Sequence, residues 1–146
     1  MAWSRIKFFY DSIPGVSGAV LGATTQRADA PVENISNMLE VNKWGASAAV
    51  DPIYITVDLG GVNPQKAADY LAVYGHNLGS AGATLVLQYS SNGVAYSDAF
   101  SAFVPASDAV ILREFTQTAA ARYWRLRITG HGAAPYISIC IWGMKT

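Results

Sequence analysis

His76 and Asn77 stand together in a Gly-rich stretch, residues 75–82, and a second histidine, His131, lies between Gly130 and Gly132. Imidazole and carboxamide groups both donate and accept hydrogen bonds, which is what a sugar hydroxyl asks of its partner. Trp44 supplies a flat apolar ring of the kind that stacks on a sugar. These four side chains are the candidate ligand-binding set. Each also has a local reading: Asn77 caps its own turn, His76 bonds a backbone carbonyl, Trp44 packs in the core, and His131 is an exposed loop residue. Arg125 and Arg127 project from one face of a strand, with Arg122 just before them. Two guanidinium groups so placed suit bidentate contact with an acidic partner, and pairing with Asp58 or Glu114 on neighbouring strands is the alternative.

Catalysis finds little support. Gly15-Val16-Ser17-Gly18-Ala19 misses the nucleophile-elbow pattern by its last residue and has no strand–turn–helix around it. The two histidines lack a nearby nucleophile or carboxylate signature and make a poor acid–base set. No His/Cys cluster has zinc spacing and no Gly-rich loop has phosphate-cradle form, so no catalytic residue, metal or cofactor is expected. Ten basic and ten acidic residues cancel, and the basic ones are scattered, which argues against nucleic acid as a partner. Cys140 is the single cysteine and sits in the apolar run 136–142, so an intrachain disulfide is excluded and a buried thiol expected. No apolar run is long enough to enter a membrane. Met1-Ala-Trp-Ser-Arg leads directly into an aromatic segment with no signal peptide, so synthesis in the cytoplasm is expected.

Only 14% of positions are charged, against about 25% in an average soluble domain, while hydrophobic residues reach 51%. So little surface charge implies that part of the surface is covered by partners. The N-terminal aromatics Trp3, Phe8, Phe9 and Tyr10 are too apolar for a free tail. With Arg125 and Arg127 they form the candidate partner-contact set, and the arm either completes the sheet or docks into a neighbouring subunit.

The elements that position these residues are strands. At 146 residues the chain is read as one domain, residues 1–146, with an N-terminal strand or arm over 1–19. Residues 6–10 (IKFFY) form a short strand closed by turn formers. In 53–59 (IYITVDL), Ile53, Ile55, Val57 and Leu59 share one face. In 83–90, Leu85, Leu87 and Tyr89 alternate with Thr84, Gln88 and Ser90, and Ser91-Asn92-Gly93 supplies a tight turn into a return strand. Residues 72–74 and 109–115 give two more strands. In 123–129 (YWRLRIT), Trp124, Leu126 and Ile128 point inward. In the last strand Ile137, Ile139 and Ile141 alternate with Ser138, Cys140 and Trp142. Only 30–44 has helical character, with Pro31 as the first helical residue and Ile35, Met38 and Leu39 on one face. About eight short strands without long helices predict an all-β fold, an antiparallel β-sandwich or jelly roll.

The order APVENISNMLEVNKW, YITVDLGG, LVLQYSSNGVAYS, ARYWRLRITG and ISICIWG resembles the discoidin, or coagulation factor 5/8 C-terminal, domain over residues 20–143. Asn34, Trp44, Asp58-Leu59-Gly60, Tyr89-Ser90, Asn92-Gly93, Arg122-Tyr123 and Gly143 fall at the matching places. The Gly75-His76-Asn77-Leu78 loop resembles the variant seen in bacteriophage and prophage structural proteins. The resemblance implies an eight-stranded, galactose-binding-like jelly roll whose loops at one end bind sugars, lipid head groups or proteins, and it implies no catalysis. It also implies that Trp44 packs at the sandwich edge. The paired cysteines of many members are absent, and the Asp-Gly-Asn metal loop is not intact, although Asp29, Asn34 and Asn37 lie near its place. The leading expectation is a non-enzymatic virion structural protein of a bacteriophage, a tail or baseplate component or a capsid decoration. Its jelly roll would pack against other virion subunits as a homo-oligomer and touch a host-surface glycan. The alternative is a carbohydrate-binding module recognising sugars through loops around Trp44, His76 and His131.

Overall fold

The computed structural model describes residues 6–146; Trp3 lies outside the described residues. Among the described residues, nine strands form two antiparallel sheets: β1 (Val20–Ala23), β2 (Trp44–Gly45), β3 (Ile53–Asp58), β4 (Tyr70–His76), β5 (Thr84–Ser90), β6 (Ser97–Asp98), β7 (Ile111–Glu114), β8 (Tyr123–Thr129) and β9 (Tyr136–Gly143). The five-stranded sheet runs β1-β3-β8-β5-β6 and the four-stranded sheet β2-β9-β4-β7. The expected antiparallel sandwich is therefore present, with short strands such as β2 and β6 bringing the number to nine.

Period-2 patterning builds the larger sheet. Ile53, Ile55 and Val57 of β3 stand opposite Ile128, Leu126 and Trp124 of β8, and Leu85 and Leu87 of β5 oppose the same Ile128 and Leu126. All eight side chains are buried. Fully burying an aliphatic side chain of this size contributes about 1.5–3 kcal/mol, so any one-residue slip would expose the whole set. The turn after β5 forms as its residues dictate. Ser90 Oγ accepts from the Asn92 and Gly93 amides, Asn92 Oδ1 accepts from Val94 and Ala95, and Gly93 takes a φ of 75°.

The smaller sheet departs from simple alternation. Leu71 and Val73 of β4 face the core with Cys140 and Trp142 of β9, yet Ile137 is also in the core, out of phase with Cys140. The slip occurs opposite Gly75, whose φ of 66° breaks the pleat. A Cβ at this position would lie 2.6 Å from Ser138 Oγ. Beyond that break His76 pairs with Ile137 and turns inward instead of outward. The expected single isoleucine face of β9 is thus divided, with Ile139 left half-buried on the outer side.

Two further expectations are corrected. Residues 6–10 are not a strand. Phe8 exchanges one reciprocal pair of backbone hydrogen bonds with Thr146, at 2.8 and 2.9 Å, and the ladder stops there. The chain then turns at Asp11, whose carboxylate accepts from Met144 N and Lys66 Nζ. Phe9 packs edge-on against Tyr70, at 5.1 Å between centroids, while Phe8 and Tyr10 stay exposed. In 30–44 the helical element is one 3-10 turn, Val32–Ser36, for which Pro31 is the cap rather than the first helical residue. Ile35 is buried, but the turn ends at Asn37, whose side chain accepts from Leu39 N, and Met38 takes a φ of 61°. Met38 and Leu39 therefore point into solvent.

Candidate functional site

The loops after β4 and β8 meet at one end of the sandwich, where Gly132 N donates to Ala81 O and Gly130 N to Asp51 Oδ2. All four candidate ligand residues gather there. His76 is 3% exposed. Its Nδ1 accepts from Leu78 N at 3.0 Å, so Nε2 carries the proton and donates to Ala109 O at 2.7 Å. Asn77 Nδ2 donates to Ala134 O at 3.1 Å, and its Oδ1 accepts from Tyr136 N at 2.9 Å. His131, expected as an exposed loop residue, is 7% exposed, with Nε2 on Val50 O and no hydrogen-bond partner for Nδ1 among the described residues. Trp44 is 0% exposed and donates from Nε1 to Thr25 O. Apart from His131 Nδ1, these groups spend their hydrogen-bonding capacity tying neighbouring segments together, and the Trp44 ring has no open face for a sugar.

What this end presents to solvent is carried by other residues. Pairing of β2 with β9 sets Gly45 opposite Tyr136, a residue 38% exposed whose ring lies under Lys43, with Nζ 4.6 Å from the centroid. Asn77 holds the Tyr136 backbone from below, and Asn34 Nδ2 holds Lys43 O at 2.9 Å. On β4, opposite Ile139 of β9, Tyr74 is 42% exposed, and the nearby Glu40 carboxylate raises its pKa. The Lys43–Tyr136 pair and the Glu40–Tyr74 pair each put an aromatic ring beside a charged group, the residue types that contact sugars. Sequence reasoning passed over all four. Tyr136 opens an apolar run, and Lys43 and Glu40 lie in a loop without pattern. Only the long-range β2–β9 and β4–β9 pairings bring these strands side by side, although Lys43 adjoins Trp44 and Asn77, which holds the Tyr136 backbone, was itself a candidate.

At the neighbouring edge Ser80 donates from N and Oγ to Asp108, both at 2.7 Å, which holds that carboxyl below its ordinary range. Beside it the 103–113 segment encloses a cleft of about 320 Å³, lined largely by backbone and by apolar residues such as Val104, Pro105 and Val110. It offers few polar side chains for orienting a sugar.

The arginines pair differently from expectation. Arg122 grips Asp58 through Nε and Nη2 at 2.8 and 3.2 Å, because it sits at the start of β8 beside the end of β3. The pair lowers the Asp58 pKa and raises that of Arg122. Glu114 lies on β7, in the other sheet, and pairs with Lys7 and Lys145. Arg125 instead donates from Nε to Gln88 Oε1 at 2.6 Å, with Cζ 4.2 Å from the Tyr54 ring and 3.8 Å from the Tyr96 ring. Arg127 stands opposite Tyr54 and Val86 on the same outer face.

No family model matches the chain, and no curated protein is similar to it at a significant level. Its likeness is to solved structures. Chitosan-binding module 1 of a Paenibacillus chitosanase/glucanase superposes with a TM-score of 0.73 at 14% identity, covering 91% of this chain and 98% of that one. The module CpGH89CBM32-5 of Clostridium perfringens, solved with GalNAc-β-1,3-galactose, gives 0.71 at 15% identity, covering 91% and 99%. SpGH29 gives 0.71 at 20% identity over 93% of this chain, which spans only 28% of that one. The fold is thus the discoidin-like, galactose-binding-like jelly roll that the sequence resemblance implied.

Proposed function

We propose that the chain is a carbohydrate-binding module whose sugar site is the loop end around Tyr136, Lys43, Glu40 and Tyr74. The observation that carries this reading is the partly exposed Tyr136 ring under Lys43, with the Tyr136 backbone N–H donating to Asn77 Oδ1. Similarity over nearly the whole length of two binding modules supports a self-contained recognition domain rather than a catalyst. Asn77, His76, His131 and Trp44 act as the scaffold of this end, and Arg125 and Arg127 lie on a different face. A glycan array that includes chitosan oligosaccharides and GalNAc-β-1,3-galactose tests the reading. Binding by the unaltered chain and its loss in Tyr136→Ala are expected; an array blank for both overturns it.

The assembly reading, a phage virion protein that also touches host glycans, is favoured by one observation. Towards its β7 edge the outer face of the smaller sheet carries exposed Leu112, with exposed Val110 just before the strand, in a chain of few charges. It predicts oligomers in sedimentation at high concentration, and a clean monomer counts against it.

A further inference from the structure

The outer face of the five-stranded sheet carries a second arrangement, remote in sequence from the loop rim and built on a fixed guanidinium. Arg125 is central on β8. Tyr54 reaches it from β3 on one side and Tyr96 from the β5–β6 hairpin on the other, with centroids 4.2 and 3.8 Å from Cζ. Gln88, directly opposite on β5, accepts from Nε at 2.6 Å and is itself held by donating to Asp98 Oδ1 at 2.7 Å. The guanidinium plane is therefore set by a hydrogen bond and two rings. The end-on pair, Nη1 and Nη2, makes no hydrogen bond among the described residues. Arg127 follows two residues along on the same face, opposite Tyr54.

The charges on this face favour an anion. Asp58 is neutralised by Arg122 in a two-pronged pair, while Asp98 accepts from the neutral Gln88 amide and keeps its single negative charge. Against them stand Arg125 and Arg127. A half-buried guanidinium flanked by two rings, with its Nη pair unengaged among the described residues, matches a carboxylate in planar, bidentate geometry better than any neutral hydroxyl. The two half-buried phenols beside it add hydroxyl groups that can donate to and accept from a sugar.

We infer that this face binds carboxylate-bearing oligosaccharides, with Arg125 taking the uronate carboxylate, Tyr54 and Tyr96 flanking the sugar, and Arg127 reaching the next acidic unit. The polymer class, though not the site, rests on the carbohydrate-binding reading above. Titration with trigalacturonate tests it, with the fully methyl-esterified trimer as the neutral control and poly-glutamate as the acidic peptide control. Expected are binding of the free acid that weakens with added salt, at least tenfold weaker binding of the ester, and at least tenfold loss in Arg125→Lys. Lysine keeps the charge but not the fork. Arg127→Gln weakens binding several-fold. The ester comparison uses the unaltered chain and needs no variant to fold. Equal binding of acid and ester, no binding of the acid, or poly-glutamate binding as tightly as the trimer overturns the proposal. Neutral-sugar binding lost in Tyr136→Ala alongside a silent trigalacturonate titration sinks this site and leaves the loop-end reading standing; the opposite pattern does the reverse.

Discussion

Trp44 and Tyr136 are both aromatic, lie in neighbouring strands at the same end of the sandwich, and do opposite jobs. Trp44 is wholly buried, so Trp44→Ala is expected to cost about 3–5 kcal/mol in denaturant unfolding through the lost transfer energy and the cavity left behind. Tyr136→Ala removes a half-open ring and leaves the core intact, so its effect belongs on binding. Asp58 carries the clearest pH prediction. Arg122 holds its carboxyl below the ordinary 3.8. A carboxyl more acidic in the folded chain than in the unfolded one stabilises the fold at all pH values above its unfolded pKa. It loses that contribution as pH falls through the folded pKa. Thermal unfolding of the unaltered chain should therefore drop on acidification below about pH 4, and Arg122→Gln should shrink that drop while lowering the melting temperature at neutral pH. An acid limb identical in both proteins would show that the pair contributes nothing.

Among elements, β4 and β9 show why the larger sheet was legible and the smaller one was not. In β3, β5 and β8 every inward position is apolar and every strand keeps its phase, so the alternating pattern alone places Ile55, Leu87 and Leu126 in the core. In β9 the isoleucines suggest one face, but the pleat breaks opposite Gly75 and divides them. A glycine within a strand marks such a break, and the Gly75-His76-Asn77 sequence carried that signal without saying which way His76 would turn. Gly75→Ala places a methyl group against Ser138 and forces a side chain into positive φ. A loss of more than about 1 kcal/mol in unfolding is expected, with Ser138→Gly restoring only the part due to the clash. An unchanged midpoint would mean that the strand re-pleats freely. The 3-10 turn and the N-terminal arm were illegible for another reason. Their ends are set by tertiary partners, Asn34 on Lys43 and Phe8 on Thr146, that no local pattern specifies.

At the scale of the whole molecule, two sheets form a closed core and leave three distinct outer regions. These are an aromatic and charged loop rim, a tyrosine-flanked arginine face, and a more apolar face on the smaller sheet. The loop end was legible as the place to look, since His76, Asn77, His131 and Trp44 all converge on it. The residues that meet solvent there were not, because Tyr136, Lys43, Glu40 and Tyr74 come together only through the β2–β9 and β4–β9 pairings. The central claim is that this rim recognises sugar while the buried set beneath it only supports it. Calorimetric titration of the oligosaccharide that binds best, run on the unaltered chain and Tyr136→Ala with melting temperatures taken alongside, tests this most directly. The account predicts that Tyr136→Ala loses at least tenfold in affinity at an unchanged melting temperature. Full affinity in Tyr136→Ala, with the same melting temperature, would contradict it.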